Sequence, residues 1–332
     1  VNDRVIKSYR FREERESDWA KLDLIVTRAE KRGVKALSDE ELTALPRLYR
    51  QAVSSLSVAR SISLDQNVLA YLETLCARAY FFVYGTRASI GARMAQYFRR
   101  DWPASVSAAI KPTLLAALCL FGGALVAFFL CLQDMEWYWT IHQGWDSRNP
   151  DASYDSLRDT LYTEDTNIAD MLGAFAAQLF SHNSGIAIFA FALGFCFGIP
   201  TAILLIYNGV YLGSFFAVFW QKGLAAELTG WLFIHGVTEL FAIVLAGAAG
   251  FMIGGAVAFP GTKSRMQSMR DAGNSAALVI IGAVLMLFIA ALLEGFGRQL
   301  INSDMTRYVI AVTSLIFWLT YFYWPRASEE DR

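Results

Sequence analysis

Apolar residues are spread along this chain in two ways. Up to about residue 110 they recur at helical spacing among charges, and beyond it they run together. Leu42, Leu45, Leu48, Tyr49, Ala52, Val53 and Leu56 fall at steps of three and four, the repeat of a helix with one apolar face. Ser38 and Glu41 fit a capping box, in which each side chain satisfies the other's backbone N–H, so a helix is expected from there to about Ser61. Leu69, Leu72, Leu75, Cys76, Ala79 and Phe82 predict a second helix over about 65–84. Trp19, Leu22, Ile25, Val26 and Ala29 form a third stripe ahead of both. Three such stripes can bury one another, so residues 1–110 read as a helical domain, with a break between Gly85 and Gly91. Its last stretch, 90–111, is basic and aromatic (Arg93, Tyr97, Phe98, Arg99, Arg100, Trp102) and is expected to lie in the lipid headgroup layer.

From residue 111 to 326 the apolar runs predict about six transmembrane helices, at 112–132, 184–206, 209–221, 231–259, 276–293 and 308–324. The third is short: 13 residues rise only about 20 Å, against a hydrocarbon core of about 30 Å. It is expected to be tilted, re-entrant or extended, and Asn208-Gly209 before it reads as a turn, since both residues tolerate positive φ. Met171–Phe180 could form an interfacial or re-entrant helix before the second span.

Charge orients the runs. Residues 1–111 hold 19 of the 29 Lys and Arg, whereas 133–182 hold nine acids and only Arg148 and Arg158. The positive-inside rule then puts both termini and the 260–275 loop in the cytoplasm, and the acidic 133–182 loop outside, where Trp137, Trp139 and Trp145 make an aromatic belt. The first residues are charged and lack an apolar core, so no secretory signal is expected and the N-terminus should stay cytoplasmic. With 55% hydrophobic and 18% charged residues, the chain is neither a soluble enzyme, a nucleic-acid-binding basic domain nor a disordered protein. The reading is all-α: a polytopic membrane protein with an N-terminal cytoplasmic helical domain, in a bacterial inner membrane. Four cysteines without a CxxC pattern predict neither disulfides nor a zinc site.

The residues most costly to place are polar ones inside apolar runs. Glu239 lies within the fourth run, and His235, four residues earlier, points the same way. Ala242, Ala246, Ala249 and Gly250 continue that face with almost no side chain, so a neighbouring helix can press close. The pair is either a buried clasp or a site that responds to protons or ions. One His and one Glu are too few for a metal, and Glu294 reads as an interfacial residue, so no metal or other cofactor is expected. Gly194 and Gly198, and Ala246, Gly250, Gly254 and Ala258, are small-residue faces for close packing within the chain or in a homodimer. No HExxH, GxSxG, Walker A or GxGxxG pattern is present, and no catalytic set is expected.

Asn183, Gly194, Gly198, Tyr207-Asn208-Gly209, Leu212-Gly213, His235-Gly236-xx-Glu239-Leu240 and Ala246-Gly247-Ala248-Ala249-Gly250, in that order, resemble the stage II sporulation protein M family. Arg78-Ala79-Tyr80 and Tyr84-Gly85 resemble its longer members from bacteria that do not sporulate, so the likeness covers about residues 70–260. The resemblance implies an integral membrane protein. The family's sporulation member works with cell-wall-degrading partners, and the longer members are commonly encoded beside MoxR-type AAA ATPases. It also implies a polar core of His235, Glu239, Asn208 and Asn183, packed through Gly194, Gly198, Gly209, Gly213, Gly236, Gly247, Gly250 and Gly254. The expected function is a non-enzymatic scaffold or assembly factor that contacts membrane lipids and recruits a cytoplasmic ATPase or envelope partners. The alternative is a transporter or channel using His235 and Glu239, and a third possibility is a membrane-shaping protein.

Overall fold

The computed structural model describes residues 2–33, 36–61, 66–84, 90–142, 147–162, 169–297 and 301–324. Gly85, Arg87, Trp145, Arg298 and the tail from 325 onward lie outside them. All of the regular structure among the described residues is helical, and the chain divides into two units, 1–93 and 94–332.

The first unit is built from α1 (Asn2–Arg32), α2 (Asp39–Ser61) and α3 (Gln66–Val83). Their apolar stripes meet as the spacing predicts: Trp19, Leu22, Ile25, Val26 and Ala29 of α1 bury against Leu45, Leu48 and Ala52 of α2 and Leu72, Leu75 and Ala79 of α3. The capping box forms in both directions. Ser38 N–H donates to Glu41 Oε2 at 3.0 Å, and Glu41 N–H donates to Ser38 Oγ at 3.2 Å. Arg78 of α3 donates to Asp23 at 2.7 Å, to Thr27 at 2.8 Å and through two nitrogens to Glu30, clamping α3 onto α1.

Six described helices are long and apolar enough to cross a membrane, so this is a multi-pass membrane protein. In the second unit, α4 (Ile90–Gln96) and a π-turn (Tyr97–Asp101) lead into the short α5 (Trp102–Ala108), followed by α6 (Ile110–Gln133), α7 (Glu136–Ile141), α8 (Tyr154–Asp159), α9 (Ala169–Ala192), α10 (Ile199–Gln221), α11 (Ala225–Ala258), α12 (Arg265–Leu292) and α13 (Asp304–Tyr323). The helix α11 packs against α6, α9, α10, α12 and α13, and its stretch from Ala242 to Gly250 is wholly buried.

Two expectations are corrected. First, the second and third spans do not part at Asn208-Gly209. Those residues lie mid-way along α10, where the Asn208 amide donates to Leu204 O, one turn back, at 2.8 Å. The break falls at 193–198: a 3₁₀ turn, then Phe197 and Gly198 at φ 62° and 74°, then Pro200 in the first turn of α10. A left-handed glycine ends a helix, and a proline can begin the next because that position needs no N–H. The third span is therefore a full 23 residues. Second, the acidic 133–182 segment is not one loop. It contains α7, α8 and the first part of α9, which runs unbroken through 171–180 into the second span. The basic aromatic stretch divides: 90–96, Arg99 and Arg100 are exposed, whereas Trp102, Val106 and Ala109 are buried in the core of the second unit, and Trp102 fills the notch left by Gly282, where a Cβ would sit 1.9 Å from the indole. The second compact unit begins at residue 94.

The segment after α6 folds onto one end of the bundle. Tyr138, Leu157 and Leu161 pack with Val218, Leu224, Leu228 and Trp231. Arg307, at the head of α13 and wholly buried, donates to Leu161 O at 2.9 Å and Ile301 O at 2.7 Å beneath the Tyr162 ring. The Tyr162 hydroxyl donates to Asp304; burial first, and then that carboxylate, push its pKa up to about 12.

Candidate functional site

The site is built on α11. Trp231, His235, Thr238 and Ala242 follow at steps of three and four, with Glu239 four residues after His235, and form one face of the helix. The central position of α11 turns that face into protein. His235 is 3% exposed, Glu239 is half-buried, and Ala242, Ala246, Ala249 and Gly250 are buried. The Trp231 ring stands edge-on to His235 with centroids 6.3 Å apart, and Trp318 Nε1 of α13 donates to Thr238 Oγ1 at 3.0 Å.

A third ionisable side chain joins the pair. The end of α12 loosens into a π-turn, Leu293–Gly297, which carries Glu294. A π-turn inserts one extra residue per turn and re-aims the side chains around it, and such turns concentrate at functional sites. Glu294 is buried, at 7% exposure, with Oε1 3.8 Å from His235 Nε2. It is enclosed by protein, although it lies at the end of an apolar run. One donor atom each from His235, Glu239 and Glu294 lies within 4.8 Å of the other two. An imidazole and two carboxylates converging inside the bundle can hold a proton or a cation, or can tie α11 to α12.

Of the other expected polar residues, Asn208 spends its amide on its own helix, and Asn183 is half-buried beside the buried Ser184 on α9, a helix that packs against α11 and the π-turn. The glycines divide. Gly209 and Gly213 of α10 press on the backbone of α6, where a Cβ would lie 1.9 Å from Leu120 O and from Ala124 O. Gly194 and Gly198, flanking the helix break, meet Gly250 and Gly254 of α11. Gly247 leaves room for the Leu205 side chain. Gly236 is different: a Cβ there would touch only Leu232 and Phe233 of its own helix, no closer than 3.4 Å, so it does not seat a neighbouring helix.

Two further polar anchors escaped the sequence pattern. His142 Nε2 lies 2.9 Å from Ser214 Oγ of α10, with its ring stacked on Tyr138. Arg307 sits one residue before the last apolar run, where a charge ordinarily marks a span end in solvent.

The fold and the cluster define a class: a multi-pass helical membrane protein with a His–carboxylate–carboxylate group inside the bundle. The family model of stage II sporulation protein M matches residues 113–297, more than half of the chain and a stretch that contains all three cluster residues. The chain belongs to the stage II sporulation protein M family. The match extends past the residue 260 expected from the motifs and takes in the fifth span. A second model, a domain of unknown function (DUF8413), matches residues 9–85, the helices of the first unit. No curated protein and no solved structure matches the chain.

Proposed function

We propose that the protein is a non-enzymatic scaffold in the bacterial cytoplasmic membrane, whose first unit receives a cytoplasmic protein. The observation that carries this reading is an aromatic cluster on the outside of that unit. Tyr80, Phe81 and Tyr84 at the α3 end are 50%, 71% and 59% exposed; Tyr80 touches Phe81, Tyr84 and Tyr49, and Tyr84 also touches Tyr49. Exposed aromatic clusters are costly in water and mark partner surfaces, where Tyr and Phe supply much of the binding energy. The close backbone crossings of α6 with α10 and of α9 with α11 suit a rigid platform better than a moving carrier. A MoxR-type AAA ATPase is the partner that the family likeness favours. Full-length protein in mild detergent should retain a MoxR-type AAA ATPase from the same organism on a column. Phe81→Asp should reduce retention at least tenfold while leaving elution of the chain itself unchanged. Equal retention by both forms, or none by the natural chain, would sink the proposal.

A second reading, proton or cation transport, is favoured by the buried cluster, since ionisable groups at membrane depth often mark ion pathways. Flux into liposomes that Glu239→Gln abolishes would promote it over the scaffold.

A further inference from the structure

The cluster supplies what the sequence alone could not: a third donor, on a second helix, aimed at the first two. We propose that His235, Glu239 and Glu294 bind one divalent first-row transition-metal ion, zinc fitting best, which fastens the π-turn after α12 to α11. The proposal stands independently of the docking role argued above, because it concerns only the interior of the membrane unit.

Donor chemistry selects the ion. One imidazole nitrogen with two carboxylate oxygens is a mixed nitrogen and oxygen set, suited to zinc, manganese or iron. Calcium asks for about six to eight oxygens, and magnesium usually keeps several waters, so neither matches a buried set that includes a histidine. Distance agrees. Bonds of about 2.0–2.2 Å in tetrahedral array put neighbouring donors about 3.3 Å apart. His235 Nε2 and Glu294 Oε1 are 3.8 Å apart, so closing on an ion moves them by about 0.5 Å, within the reach of side-chain rotation. Three protein donors also leave a coordination position for water, the arrangement of open rather than closed zinc sites.

Placement supports the same conclusion. Glu294 reaches the cluster only through the π-turn, and His235 is flanked by Trp231, whose ring covers one side. Glu294 lies 55 residues beyond Glu239 and 59 beyond His235, so the ion would join two spans rather than decorate one.

The test uses the full chain in mild detergent, stripped with a chelator and then given Zn²⁺ or Mn²⁺ alone. The natural chain should carry about one ion after gel filtration and unfold at least about 5 °C higher with the ion than without. Glu239→Gln and Glu294→Gln should each lower the bound ion at least fivefold and abolish the rise, whereas His182→Gln, at an exposed histidine, should change neither. A natural chain that binds less than about a tenth of an equivalent overturns the proposal, as do variants that keep the ion. Where a variant fails to fold, Co²⁺ in the natural chain decides. Visible d–d bands without a sulfur charge-transfer band support the site. Absent bands, or a sulfur band from the cysteines, overturn it.

Discussion

Arg78 shows how one residue can hold an element in place. Its guanidinium reaches Asp23, Thr27 and Glu30 on α1, and its hydrogen bond to Glu30 is the main reason that carboxyl titrates below its ordinary range. Glu41 is lowered too, first by the Ser38 backbone N–H. Each folded pKa lies below the unfolded value of about 4.3, so the stability these groups contribute is complete above that value and lost as pH falls through the folded one. Amide protection of α1 and α3 in the full chain, corrected for the intrinsic exchange rate at each pH, should fall on going from pH 6 to pH 3. Arg78→Ala should already exchange faster at pH 6 and should respond less to acid. An unaltered pH response in the variant would show that Arg78 is not the anchor. Glu30 stands out in the sequence only as a surface charge, because its partner Arg78 lies 48 residues away across a helix contact, whereas the Ser38–Glu41 box is legible from its three-residue spacing.

Among the elements, the spans themselves were legible because a run of apolar residues long enough to cross admits little else than a helix. Their divisions were less so. Asn208-Gly209 has the composition of a turn, yet Gly209 is there to let α10 lie on the backbone of α6, and the real break was written as Gly198 followed by Pro200. Local propensity cannot separate a glycine that bends a chain from one that clears space for a neighbour. His235 and Glu239 were legible because both lie within one run at a one-turn spacing. Glu294 was not, because its place depends on how two spans pack and on a π-turn that shifts register. The two uses of glycine are separable by substitution. Gly213→Ala drives a methyl into Ala124 O and should destabilise the bundle by about 3 kcal/mol. Gly236→Ala meets no other helix and should be neutral or stabilising by up to about 1 kcal/mol. Detergent unfolding temperatures of the two variants check this, and equal losses would refute the packing assignment.

At the scale of the whole molecule, the six spans and the contacts of the 134–162 segment with residues 218–231 and with α13 gather three connections at one end of the bundle. The basic 259–270 region belongs to the opposite end if each span crosses once. Positive-inside reasoning makes that opposite end cytoplasmic. Single cysteines placed at Asp151 and at Lys263, in a chain otherwise without cysteine, should be labelled by an impermeant maleimide from opposite faces of intact cells. Asp151 should react from outside, and Lys263 only after permeabilisation. Labelling of both from one face would refute the arrangement.

The buried Arg307 has a consequence for biogenesis. Its guanidinium ends on the Leu161 and Ile301 carbonyls, which exist in position only once the excursion after α6 has settled on the bundle. The helix α13, made after that excursion, therefore cannot seat its cation until the excursion has folded. Once seated, it works as a bolt across that end of the bundle, so chains truncated before residue 304 should expose 157–161 to protease even where their earlier helices are fully inserted.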